Sequence, residues 1–304
     1  MALSPPINAS DYYEFFPRPE HQVGDIWADL PTFGMFGIKH VTGIIITPAC
    51  DLQNCKTDTI TYLPIVSVRQ AFVLRGFFPA VIKAINGQAQ VLGIDGLDDS
   101  DVPFIPMEAP HIDALVARVI EKVEKGRDGK VSEKEKAAAE RVMAGVSVLR
   151  KGYGLSVTAA SGTELRILFG APNFDAIVER LVMNSFRTDM HFLPSDSQRP
   201  EWSAIPEPSV ALFRYVFSAP IEIFDCAQDL SRAEWEHEVM RMSSCIAGAA
   251  SFGARRPMKR QTLKPRFAAD LLTRYVAMHV RLGAPDFTDA SIRAYVSDIV
   301  GANG

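Results

Sequence analysis

The chain changes its hydrophobic period twice. From Gly43 to Val68 it is dense in β-branched residues, in "GIIITP" and "TITYLPIVSV", which suit a pleated, half-buried surface. Ile112, Leu115, Val116, Val119, Ile120 and Val123 then recur at helical spacing and make one apolar stripe. Strand chemistry resumes in "MHFLP", "SVALFRYVF" and "APIEIF". A chain that returns to strand pattern after a helical block predicts one closed sheet interrupted by an insertion, in an α+β architecture.

Finer punctuation divides the chain into five parts. Residues 1–20, rich in Pro, Ser and aromatics, read as an irregular arm, and 21–69 hold the first strands, with a short one at Asp25–Asp29. Pro48 marks a strand end, and Pro64, which has no N–H to give, marks an edge or bulge. Residues 70–188 form the largely helical insertion. It carries a turn signal at Asn86-Gly87, an acidic loop at Asp98–Asp101, and a helix broken by "GRDGK". Next come a capping box at Ser132 and Glu135, a second helix with Val142, Val146 and Leu149, a strand at Glu164–Gly170, and a helix over Phe174–Val182. Residues 189–226 complete the sheet, and 227–304 are helical. The best helix there runs from Pro265 to Gly283, with Pro285 beyond and a last short helix capped by Thr288 or Asp289.

A net charge of −4 over 304 residues supplies no global attraction to nucleic acid or membrane, so either partner requires a local patch. No apolar run reaches the length of a membrane helix, and the first residues lack the pattern of a secretory signal. Four cysteines, at 50, 55, 226 and 245, read as reduced thiols in the cytoplasm. No P-loop, GxGxxG or Ser/His/Asp set is visible, and no cofactor is expected.

Gly24-Asp25-Ile26-Trp27, Leu30-Pro31, Gly34, Gly37, Lys39, Ile44–Thr47 and Leu63-Pro64-Ile65 resemble the opening strands of the MazF/PemK-like toxin family, small SH3-like barrels that cleave RNA. "HFLP" at 191–194 and Ser209–Phe213 resemble the strands that close that barrel. The resemblance implies an SH3-like barrel split by a helical insertion, with a helical C-terminal region. Where the ribonucleases carry a catalytic arginine and threonine, this chain has Val41 and Val66. Neither valine can donate a hydrogen bond, and losing one donor aimed at developing charge costs about 10²–10³ in rate. The neighbours His40, Thr42 and Ser67 point to the other face of their strands. The resemblance therefore implies the fold without the cleavage. "TPACDLQNCK" and "LKPRFAADLLTRYVAMHVRLGAP" are similar to a loose group of prokaryotic proteins with "CDL" after the second strand, which implies a phage-defence or mobile-element setting.

Two clusters carry candidate chemistry. Cys50, Asp51, Asn54 and Lys56 gather where an apolar strand ends, and a lysine beside a cysteine favours the thiolate. The same residues also read as a structural turn, with Cys50 buried and Asp51 bonding loop amides. Cys50 and Cys55 lack metal-ligand spacing and have no second pair, so no metal site is expected. Arg255, Arg256, Lys259, Arg260, Lys264 and Arg266 form a basic stretch without an intervening acid, suited to phosphates or to pairing with Glu234, Glu236 and Glu238. Arg274 and Arg281 extend that surface.

The reading is a repurposed barrel that binds RNA, DNA or a protein partner, a second copy included, in a prokaryotic toxin or phage-defence system. One alternative is a nuclease or other hydrolase centred on Cys50, Asp51, Asn54 and Lys56. Another is a structural or regulatory subunit.

Overall fold

The computed structural model describes residues 9–54, 56–97, 109–125, 131–153, 157–195, 203–246 and 248–280. Cys55, the Asp98–Asp101 loop, the Gly126–Lys130 break, and Arg281, Gly283, Pro285, Thr288 and Asp289 lie outside these residues. Eight strands form one antiparallel sheet: β1 (Tyr13–Glu14), β2 (Asp25–Pro31), β3 (His40–Ile45), β4 (Thr59–Ser67), β5 (Met190–Leu193), β6 (Ser209–Leu212), β7 (Phe217–Pro220) and β8 (Met258–Leu263). The order is β1-β8-β2-β3-β4-β6-β5, with β7 also on β4.

The two distant blocks of strand pattern do meet. Ile65 faces Ala211 and Val66 faces Val210 across β4 and β6, while Ile60 faces Ala219 across β4 and β7. The expected closure is absent, because no pairing joins β1 to β5 among the described residues and the sheet stays open. Pro64 lies inside a central strand rather than at an edge. It is tolerated because β7 covers Thr59–Tyr62 and β6 covers Ile65–Ser67, so Pro64 falls in the gap between them.

Eleven α-helices occur among the described residues: α1 (Ala9–Tyr12), α2 (Ala49–Gln53), α3 (Val68–Ala71), α4 (Phe78–Leu92), α5 (Ala109–Lys125), α6 (Glu133–Tyr153), α7 (Gly162–Phe169), α8 (Ala171–Val182), α9 (Ile221–Asp229), α10 (Arg232–Met242) and α11 (Pro265–His279). Ser132 and Glu135 make the expected reciprocal bonds at the start of α6. Four further expectations fail. Asn86-Gly87 is not a turn, because the stripe Phe78, Val81, Ile82, Ile85, Ala89 and Leu92 carries α4 straight through it. The Asn86 side chain instead bonds the main chain of Leu97 at 2.8 Å through both its ends. Glu164–Gly170 is helix α7 rather than a strand, since Ser161 and Glu164 form a capping box and Leu165 and Leu168 share the buried side. "APIEIF" leaves the sheet at Pro220 and becomes α9, burying Ile223, Phe224 and Ala227. The C-terminal region contains a strand, β8, which pairs with β2 beside the first strands of the chain.

Period-two alternation explains how so apolar a sheet is buried on both faces. Ile26, Ile44, Leu63 and Ile65 pack with Leu193, Phe213 and the α11 residues Ala268 and Leu271. Their strand neighbours Trp27, Ile45 and Tyr62 pack with Phe224, Trp235 and Phe252 under α9 and α10. Farther along that second face, Val41 and Val66 join Phe72, Val81, Val142 and Leu165 of the insertion. Within the insertion the packing is so close that a Cβ on Gly152 would meet the Val73 carbonyl oxygen at 2.0 Å and the Phe78 ring at 2.7 Å. Gly152→Ala is therefore expected to cost about 2–3 kcal/mol, read as a lower urea midpoint, because a main-chain oxygen cannot rotate away.

Candidate nucleic-acid interface

The basic stretch that looked free in sequence is largely spent on structure. Lys259 lies in β8 with its side chain 5% exposed, 3.0 Å from the fully buried Asp25 carboxylate. Arg255 pairs with Asp29 at 2.8 Å, Arg256 donates to the Leu230 carbonyl, and Lys264 donates to the Ser10 carbonyl at 2.6 Å. Arg266 lies over the Phe267 ring, and Arg260 has Met258 Sδ at 3.5 Å. Of the six, Arg260 and Arg266 are left without an acidic or carbonyl partner among the described residues. Glu234 caps α10 through Ser231, while Glu236 and Glu238 pair within α10, so none of these acids meets the stretch.

Cys50, Asp51 and Asn54 share the short turn of α2 and its end, with Lys56 just beyond. Cys50 Sγ lies 3.6 Å from Asp51 Oδ1, Asn54 donates to the Cys50 carbonyl at 2.6 Å, and the Lys56 amide donates to the Asp51 carbonyl at 2.9 Å. Cys50 is exposed rather than buried, while Leu52 of this turn enters the core. Four residues on an exposed turn supply neither an enclosed space nor a histidine to act as base. No cluster of three metal-ligating side chains occurs among the described residues.

A different set of residues converges at the seam between the insertion and the α9–α10 layer. Phe36 and Tyr215 pack against both clusters there, with ring centroids 4.3 Å apart and edge to face. Phe36 belongs to a loop of unusual backbone. Phe33, Gly34, Phe36 and Gly37 all have positive φ, at 52°, 83°, 66° and 65°. Bulky residues held this way cost about 1–3 kcal/mol each, and such strain concentrates at functional sites. The loop is closed at its base by Thr32, whose amide donates to the Lys39 carbonyl at 3.0 Å and whose hydroxyl donates to the Ile38 carbonyl. Phe33 and Met35 stay exposed at its tip.

Three guanidiniums act on the Tyr215 phenol. Arg187 grips Asp189 bidentately at 2.8 and 2.6 Å, and Arg214 reaches the same carboxylate at 2.6 Å. Arg75, exposed and without an ion pair among the described residues, acts on the Tyr215 phenol together with Arg187 and Arg214. Burial alone would push the Asp189 carboxyl up, but the two arginines outweigh it and hold it below its usual range. Burial, then Asp189, push the Tyr215 phenol up, so at neutral pH it is a hydrogen-bond donor. One carboxylate against three guanidiniums leaves a net positive surface beside two rings, with Arg214 66% exposed.

Sequence reasoning passed over all of these residues except Gly34, Gly37 and Lys39. The available signal was the alternation of basic and aromatic residues in "FRYVF" at 213–217, read there only as strand. Comparison with protein-family models, curated proteins and solved structures found no match to this chain.

Proposed function

We propose that this protein binds nucleic acid at the Phe36–Tyr215 seam and does not cleave it. The observation that carries the reading is the positive excess around Tyr215, where Arg187 is committed to Asp189 and the Gly76 carbonyl while Arg75 and Arg214 stay exposed. Basic groups that track phosphates beside aromatic faces that stack bases are the two elements of single-strand recognition. In this reading the sheet is a MazF/PemK-like, SH3-type barrel opened out by its insertion, in a prokaryotic toxin or phage-defence setting. Val41 and Val66, at the positions of the ribonucleases' arginine and threonine, are core residues beneath the inserted helices. Both are buried, at 7% and 3% exposure, which supports binding without the parent chemistry. The hydrolase alternative at Asp51 draws no support from an exposed turn. No helix among the described residues is long and apolar enough to cross a membrane.

Fluorescence anisotropy with labelled single-stranded and duplex oligonucleotides tests the proposal. Arg214→Ala and Tyr215→Ala should each weaken single-strand binding by about tenfold, and Arg214→Ala should also lower the slope of log affinity against log salt by about one. Arg260→Ala and Arg266→Ala should leave both quantities unchanged. Equal affinity in all four variants would remove the seam from consideration.

A further inference from the structure

A second cleft, of about 350 Å³, opens on the other side of the molecule, where β1, the segment 18–23, the start of α2 and the first turns of α11 come together. Its size suits a small molecule rather than a polymer. Apolar surface is supplied by Val23, Ala49 and Leu272, and small side chains leave the room. The polar lining is unusual in carrying one charge of each sign. Glu14 and Arg18 are both exposed, and neither side chain makes a hydrogen bond or ion pair among the described residues. Their main chains are nonetheless held. Glu14 pairs in register with Thr262, and the Arg18 carbonyl accepts from Lys259 at 3.0 Å, so both side chains project from fixed backbone.

We propose that this cleft binds a free α-amino acid with an apolar side chain. Glu14 takes its ammonium, Arg18 takes its carboxylate, and the side chain lies against Ala49 and Leu272. A single anion is disfavoured by Glu14 and a single cation by Arg18, whereas a zwitterion satisfies both, and its carboxylate matches the planar guanidinium fork. The site is separate from the seam at Tyr215 and does not depend on nucleic-acid binding.

L-leucine serves as the probe, with N-acetyl-L-leucine and L-leucinamide as single-charge controls, in thermal unfolding and titration calorimetry on the full chain. L-leucine should raise the melting temperature saturably up to about 10 mM, and neither control should do so. Glu14→Gln and Arg18→Gln, both at exposed positions, should each weaken binding by about tenfold or more. Ala269→Phe, also exposed and lining the cleft, should abolish binding without lowering the melting temperature of the free protein. The absence of any shift with L-leucine would overturn the proposal. So would a shift that survives Arg18→Gln and Ala269→Phe, or equal binding of either control.

Discussion

Lys259→Met is expected to destabilise the protein by about 3–5 kcal/mol, the usual cost of removing one member of a buried ion pair. The Lys259 ammonium lies over the Trp27 ring and is held by four acceptors. Asp25 lies at 3.0 Å, and the carbonyls of Arg18, Pro19 and Glu20 lie at 3.0, 3.3 and 2.9 Å. Asp25 in turn accepts from the Thr262 hydroxyl at 2.7 Å and the Gln22 amide at 2.9 Å. One pair therefore ties β8 to β2 and straps the segment before β2 over both. Without the ammonium, a carboxylate with no solvent exposure keeps its desolvation cost and loses its counter-charge. Urea denaturation supplies the measurement, and the double variant Asp25→Asn, Lys259→Met should lose less than the sum of its parts, because the charges leave together. A Lys259→Met protein with an unchanged midpoint and weaker oligonucleotide binding would return this lysine to the phosphate-binding role suggested by its neighbours.

Acidification from pH 6.5 to about 4 is expected to remove about 3 kcal/mol of stability through His191 alone, at about 1.4 kcal/mol per pH unit. His191 sits on β5 under α11 with its side chain 1% exposed, and neither ring nitrogen has a hydrogen-bond partner. Asp270 on α11 approaches Nδ1 only to 3.9 Å, beyond hydrogen-bond range, and Arg274 on the same helix opposes protonation. Burial thus dominates and pushes the imidazole down to about 4. The unfolded chain takes up its proton near pH 6.5 and the folded one near 4. Stability is full above 6.5, falls as the pH drops between the two values, and levels off below them. His21 acts in the same direction. Burial again lowers it, against a 2.8 Å bond to Asp225. Glu164, which burial would raise but Lys151, Ser161 and Ser147 hold at about 2, adds its own loss as the pH falls from the ordinary carboxylate value towards 2. His191→Leu should flatten the midpoint against pH between 6.5 and 4 and leave stability at pH 7 unchanged or higher, since no hydrogen bond is lost. A variant as acid-labile as the parent would place the sensitive group elsewhere.

Much of the scaffold was legible because short-range patterns carry it. The β-branched runs at Gly43–Pro48 and Thr59–Ser67, the stripes of α5 and α6, and the Ser132–Glu135 box depend on neighbours within a few residues. The readings that failed were those where a local signal competed with a longer one. Asn86-Gly87 is a turn dipeptide inside a stripe that spans α4, and Glu164–Gly170 is a strand-like run preceded by a helix cap.

The amino-acid sequence by itself determined an α+β chain whose two strand blocks share one sheet, since period and burial leave an apolar strand little choice but to pair. Tertiary structure alone decided that the sheet stays open, that Met258–Leu263 enters it, and that Lys259 serves Asp25 rather than solvent. It alone brought Phe36, Arg75, Arg187 and Tyr215 to one seam. The reason is range. Whether a lysine is free or buried, and which rings and guanidiniums share a surface, depends on partners more than a hundred residues away, and no periodicity in the chain records them.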